Sequence, residues 1–123
     1  MNIMFKSTRG DKNYVTASQA IVQGIANDGG LFVPETIPTI DFSLEKITEM
    51  SYQELAYEVL KLILTDYTEE ELKYCINSAY DEKFDTKLIA PLVSAGNGNF
   101  LELFHGKTIA FNGYGTFYSS LSF

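Results

Sequence analysis

Thr16-Ala17-Ser18-Gln19-Ala20-Ile21-Val22-Gln23-Gly24-Ile25-Ala26-Asn27-Asp28-Gly29-Gly30-Leu31-Phe32-Val33-Pro34 is the stretch on which the fold reading turns. Thr16 and Gln19 stand at capping-box spacing, where a hydroxyl and a side-chain amide satisfy orphan backbone donors. Ala17, Ala20, Ile21 and Ile25 recur at helical spacing, so a helix is expected from Ala17 onward. Asn27-Asp28-Gly29-Gly30 is expected to stop it as a C-cap, because glycine tolerates the left-handed conformation. Leu31-Phe32-Val33, ended by Pro34, reads as a short strand. A helix between short strands makes this a mixed chain rather than a bundle.

Before this stretch, Asn2 to Ser7 alternates loosely and reads as a strand, broken by Ser7-Thr8-Arg9-Gly10-Asp11. After it, Pro34 to Phe42 is a connector. Ser43 is placed to cap a short helix through Ile47. Ser51 with Glu54, and Thr68 with Glu71, form two further capping boxes. Leu55, Ala56, Val59, Leu60, Ile63 and Leu64 mark the apolar face of the first of these helices. Leu72, Cys75, Ile76 and Ala79 mark that of the second. Glu69, Glu70 and Glu71 fall in its first turn, a solvated start that suits the helix dipole. Beyond Asp85 the pattern turns extended. Ile89 to Val93 and Phe100 to Phe104 are apolar runs around Gly96-Asn97-Gly98-Asn99, a hairpin with a loop longer than the two-residue minimum. The expected fold is α/β: a small sheet with about four packed helices.

The whole chain has 123 residues, 9 basic and 16 acidic, for a formal net charge of −7. That length supports one core. Hydrophobic residues at 46% argue against disorder. No run approaches about 18 apolar residues, so no membrane span is expected. No secretory signal is read at the N-terminus. The single Cys75 fits a reducing, cytoplasmic setting. The acidic balance and scattered basic residues argue against nucleic acid as a partner.

Few residues carry chemistry by themselves. His105 is the only histidine and reads as a packed or hydrogen-bonded residue. With no second histidine or cysteine at ligand spacing, no metal site is expected. Cys75 lies on an apolar helix face and reads as core. Thr8 and Arg9 sit in a turn that could capture an anion through guanidinium and backbone donors. Asp28-Gly29-Gly30 is explained by a helix C-cap. The last twelve residues, Asn112 to Phe123, contain no charged side chain, against 20% in the chain as a whole.

Four stretches taken in order resemble one family. They are Ser7-Thr8-Arg9-Gly10; Val15 to Ala26 leading into Asp28-Gly29-Gly30-Leu31-Phe32-Val33-Pro34-Glu35 and Ile37-Pro38; Ser51-Tyr52-Gln53-Glu54-Leu55-Ala56; and Leu101-Glu102-Leu103-Phe104-His105-Gly106-Lys107-Thr108-Ile109-Ala110-Phe111. Their order and spacing resemble the N-terminal part of threonine synthase, over about residues 5–111. Lys107 stands where family members often have proline. The resemblance implies a pyridoxal-phosphate enzyme that converts O-phospho-L-homoserine and water to L-threonine and phosphate. In the family the last stretch continues into Lys-Asp, and that lysine holds the cofactor covalently. Asn112 stands at this position, and an amide nitrogen is not nucleophilic. No catalytic residue and no bound cofactor are therefore expected of this chain. The residues nearest to such a cofactor are His105, Thr108 and Phe111. Thr8 and Arg9 are the candidates for a substrate phosphate.

The codon for asparagine ends in a pyrimidine. Deleting that base gives AAG, lysine, and the following codon can read aspartate. Residues 1–111 are thus expected to be a threonine synthase N-terminal-like domain, with 112–123 an out-of-frame tail of a truncated chain. Apolar surface left without its partner should promote self-association, with the aromatic tail (Tyr114, Phe117, Tyr118, Phe123) a candidate for pairing with a neighbour's sheet edge. The alternatives are a standalone binding or assembly module, and a small anion-binding domain.

Overall fold

The computed structural model describes residues 2–111, and the expected tail 112–123 lies outside them. The elements run β1 (Phe5–Ser7), α1 (Ala17–Gln23), β2 (Phe32–Pro34), α2 (Leu44–Glu49), α3 (Tyr52–Ile63), α4 (Glu69–Ala79), β3 (Leu92–Ala95) and β4 (Gly98–Leu101). The mixed α/β class with four helices is as expected. The strands form two antiparallel pairs, β1 with β2 and β3 with β4.

Capping decides where the helices begin. Thr16, Ser51 and Thr68 each accept the amide of the residue three positions on, and Gln19, Glu54 and Glu71 return the bond. Ser43 caps α2 by its hydroxyl alone, which accepts from the Lys46 amide. That helix runs to Glu49 rather than stopping at Ile47.

The first helix is shorter than its sequence pattern. Gly24, at φ 75°, caps it, so Ile25 leaves the helix and bridges Leu31 instead. Asp28-Gly29-Gly30 is consequently not a helix C-cap. It is the turn between that bridge's two arms, with the Gly29 amide donating to the Ala26 carbonyl at 2.8 Å and the Ala26 amide to the Gly30 carbonyl at 2.9 Å. The first strand is also shorter than Asn2 to Ser7, since only Phe5, Lys6 and Ser7 find partners, in Pro34, Val33 and Phe32.

The core lies where α1, α3 and α4 meet β1. Leu72, Cys75, Ile76 and Ala79 of α4 are all buried, as their spacing requires. Phe5, Ala17, Ala20, Leu64, Tyr80, Phe84 and Ile89 join them, with Ala56, Leu60 and Ile63 of α3 packed against the cluster. Ile89 is the reason β3 begins late. At φ 60° it turns inward and is only 2% exposed, so the expected strand from Ile89 starts at Leu92. The hairpin turn is tighter than expected. Ala95 pairs with Gly98, which leaves Gly96 and Asn97 as a two-residue loop. Gly96 has φ 59°, the positive value that primed hairpin turns need there. The second apolar run therefore pairs over Gly98–Leu101, not over Phe100 to Phe104. Among the described residues, no helix is long and apolar enough to cross a membrane.

Candidate functional site

Two clusters collect the sequence-selected residues. The first joins the turn after β1 to the turn before β2. Ser7 Oγ donates to Asp28 Oδ1 at 2.6 Å. The Gly30 amide donates to the same oxygen at 2.9 Å, and the Asp11 amide reaches Asp28 Oδ2 at 3.0 Å. The Ser7 hydroxyl, the Gly30 and Asp11 amides and the nearby Arg9 guanidinium hold the Asp28 carboxyl below its usual range, against a smaller opposing effect of burial. Arg9 Nη1 donates to the Asp28 carbonyl at 3.2 Å. The Thr8 hydroxyl accepts from the Leu31 amide at 3.0 Å.

This geometry limits anion capture at Thr8 and Arg9. The Thr8 amide bonds the Leu31 carbonyl, the Arg9 amide bonds Ser7 Oγ, the Gly10 amide bonds the Ser7 carbonyl, and the Asp11 amide bonds Asp28. Four successive N–H groups are spent inside the protein, and a carboxylate already occupies the position an anion would want. The guanidinium keeps outward donors, because Arg9 is exposed. Sequence reasoning missed Asp28 as the hub. Its bond to Ser7 spans 21 residues, and no local pattern announces it.

The second cluster is built on His105. Its Nδ1 meets Asp85 Oδ1, and its Nε2 meets Glu102 Oε2 at 2.8 Å. The Asp85 amide donates to the His105 carbonyl at 3.1 Å. The imidazole stacks on Phe104 with ring centroids 4.6 Å apart. The Glu102 hydrogen bond and then that of Asp85 outweigh burial and raise the histidine above its ordinary pKa. His105 is thus a hydrogen-bonded residue, as its sequence position suggested, and it ties the exit of the β3–β4 hairpin to the segment after α4.

Thr108 donates to the Ala110 carbonyl at 3.2 Å, and the Ile109 amide to the Gly106 carbonyl at 2.9 Å. Residues 107–111 are all exposed. Both His105 nitrogens are taken by carboxylates, and Phe111 is open to solvent. Asn112 lies outside the described residues. No group of three or more metal-ligating side chains occurs among the described residues. Burial, with a further contribution from Glu71, pushes the Cys75 thiol up.

The family model described as "Threonine synthase N terminus" matches residues 4–80. Threonine synthase of Schizosaccharomyces pombe is 38% identical over 113 residues, covering 89% of this chain and 22% of the relative. The crystal structure of threonine synthase from yeast superposes with TM-score 0.87 at 33% identity, over 98% of this chain and 26% of that one. The pyridoxal-phosphate-bound threonine synthase from Brucella melitensis gives TM-score 0.85 at 31% identity, with the same coverage. The chain therefore spans about a quarter of the length of the relatives it matches. Residues 4–80 match the N-terminal model of the family, the four-helix α/β region with its two strand pairs is similar to part of those enzymes, and the chain belongs to the threonine synthase family.

Proposed function

We propose that this chain is the N-terminal region of a threonine synthase and does not by itself turn O-phospho-L-homoserine into threonine. The observation that carries this reading is Asn112, directly after the Leu101 to Phe111 stretch where the family has its cofactor-holding lysine. An asparagine amide has no basic lone pair with which to attack an aldehyde. The exposure of residues 107–111 supports the same reading, because a cofactor needs an enclosing pocket to orient it. The remaining donors would come from the part of the relatives that this chain does not match. Pyridoxal phosphate belongs to that larger enzyme, where it acts as the electron sink.

Residues 112–123 are, in this proposal, the product of a shifted reading frame. Their lack of charge supports it, as does the lysine recovered by removing one base from codon 112. Sequencing the encoding DNA through and beyond codon 112 tests it. A long frame opening with Lys-Asp after loss of one pyrimidine is the expected result. Absence of any such frame would overturn the frame-shift reading. The buried Cys75 supports a reducing cytoplasmic setting.

A further inference from the structure

His105 is held between two carboxylates from different parts of the chain. Its Nδ1 faces Asp85 Oδ1 in the segment after α4, and its Nε2 lies 2.8 Å from Glu102 Oε2 at the exit of the β3–β4 hairpin. An ionised carboxylate only accepts hydrogen bonds, and a neutral imidazole carries a single N–H. A neutral His105 therefore satisfies one of the two and turns a lone pair toward the other. Only the imidazolium, protonated on both nitrogens, donates to both. Asp85 and Glu102 are the charged groups acting on the ring, one from each segment packed against it.

The two sides of this cluster are anchored differently. The Asp85 side rests on the core, because Phe84 and Ile89 are buried and the Gln53 side chain of α3 donates to the Tyr80 carbonyl at 2.6 Å. The His105 side leads into exposed chain. Residues 107–111 are exposed and bond locally, the Ile109 amide to the Gly106 carbonyl and the Thr108 hydroxyl to the Ala110 carbonyl. At the junction, the Asp85 amide donates to the His105 carbonyl at 3.1 Å beside the ring contact. The two carboxylates differ as well. The Asp85 side chain is 73% exposed and that of Glu102 26%. Released into water, the Asp85 carboxylate is solvated at little cost. Glu102 facing a lone pair in its more enclosed position costs more.

We infer that His105 is a proton-gated clasp: as the imidazolium it pins the hairpin exit to Asp85, and loss of its Nδ1 proton releases Asp85 and loosens residues 106–111. The neutral ring keeps its remaining N–H on Nε2, bonded to Glu102, and presents a bare Nδ1 to Asp85. The Glu102 bond acts on the ring more strongly than that of Asp85, in agreement with this order of release. The clasp is closed at acid pH and opens as pH rises through the folded-state value of the ring. The loosened segment leads to position 112. Its bearing on that position rests on the proposed function, whereas the contact itself lies wholly among the described residues.

Nuclear magnetic resonance of the 123-residue chain, from mildly acid to mildly alkaline pH, tests this. The ring nitrogens should both be protonated at low pH, and Nε2 alone at high pH. Exchange of the Asp85 and Ile109 amides, corrected for its intrinsic pH dependence, should quicken about threefold through the ring's midpoint. The Leu72 and Ile76 amides of α4 should not follow, which separates local opening from unfolding. Asp85→Asn is the decisive variant. An asparagine side chain accepts from Nδ1–H through its oxygen and donates to bare Nδ1 through its nitrogen. In that variant Ile109 should stay protected on both sides of the midpoint, whereas in Asp85→Ala it should exchange at the faster rate throughout. A neutral ring carrying its proton on Nδ1 would overturn the inference. So would Asp85 and Ile109 exchange indifferent to the ring's titration, or an Asp85→Asn chain that opens as the unaltered one does. No readout involves cofactor or turnover, so failure here is distinct from failure of the proposed function.

Discussion

Ser7 Oγ lies 2.6 Å from Asp28 Oδ1, and this bond closes the turn after β1 onto the turn before β2. Ser7 is itself buried, 5% exposed, and its only hydroxyl proton goes to Asp28. Replacing Gly30 by alanine puts a methyl group 2.1 Å from that oxygen and 3.0 Å from the Arg9 amide nitrogen. The buried Ser7 hydroxyl has to move off its bond to Asp28 and the Arg9 amide has to give slightly, at a cost of about 1–3 kcal/mol. Gly24→Ala is the instructive comparison. A Cβ there meets nothing within 4 Å, but φ 75° is strained for alanine, costing roughly 1–2 kcal/mol. Urea unfolding of both variants checks the two costs. Only Gly30→Ala should also perturb the Asp11 and Arg9 amide signals.

The His105 cluster makes a pH prediction with a definite sign. Its folded-state pKa is raised by Glu102 and Asp85. The stabilisation is therefore fully present below the unfolded histidine value of about 6.5, and is lost as pH rises through the higher folded value. Because His105 is the only histidine, its ring proton resonances report the titration directly. Glu102→Gln and Asp85→Asn should each lower the midpoint. A midpoint at or below the ordinary value in the unaltered chain would contradict the geometry.

Asp28 gives the opposite sign. Its carboxyl is held low, chiefly by the Ser7 hydroxyl. Its contribution is present above the unfolded carboxylate value of about 3.9 and disappears as pH falls through the folded one. Asp28→Asn should flatten the acid limb of the stability profile without altering the limb set by His105, which chemical denaturation across pH can separate.

In the core, Ile76 is 1% exposed and Leu72 2%. Truncating either to alanine leaves a cavity in the α3–α4 seam and should cost about 2–5 kcal/mol. Thr68→Ala should cost only about 1 kcal/mol, by removing the hydroxyl that accepts from the Glu71 amide. Denaturant midpoints rank the two classes. A cap variant as damaging as Ile76→Ala would show that α4 relies on its terminus more than on its buried face.

The elements that were legible in the sequence are those set by neighbours within four residues. Thr16 with Gln19, Ser51 with Glu54, and Thr68 with Glu71 mark helix starts by chemistry that is wholly local, and the buried face of α4 follows from spacing alone. The end of α1 was hidden because Ile25 continues the apolar period past Gly24. A single glycine within a periodic run does not say that it will adopt a positive φ. The Asp28 hub and the Asp85 partner of His105 were illegible for a different reason. They join residues 21 and 20 positions apart, and nothing local encodes that closure. Glu102, three residues before His105, was the one partner a close reading could have found.

The family resemblance and Asn112 together make one demand on chemistry. The most direct measurement is release of phosphate and formation of L-threonine from O-phospho-L-homoserine by the purified 123-residue chain with added pyridoxal phosphate, alongside the intact yeast enzyme. No turnover, and no new visible absorbance band on titration with the cofactor, is the result expected of an N-terminal region with asparagine at position 112. Turnover that persists through repurification and is abolished by substitutions in this chain would contradict it.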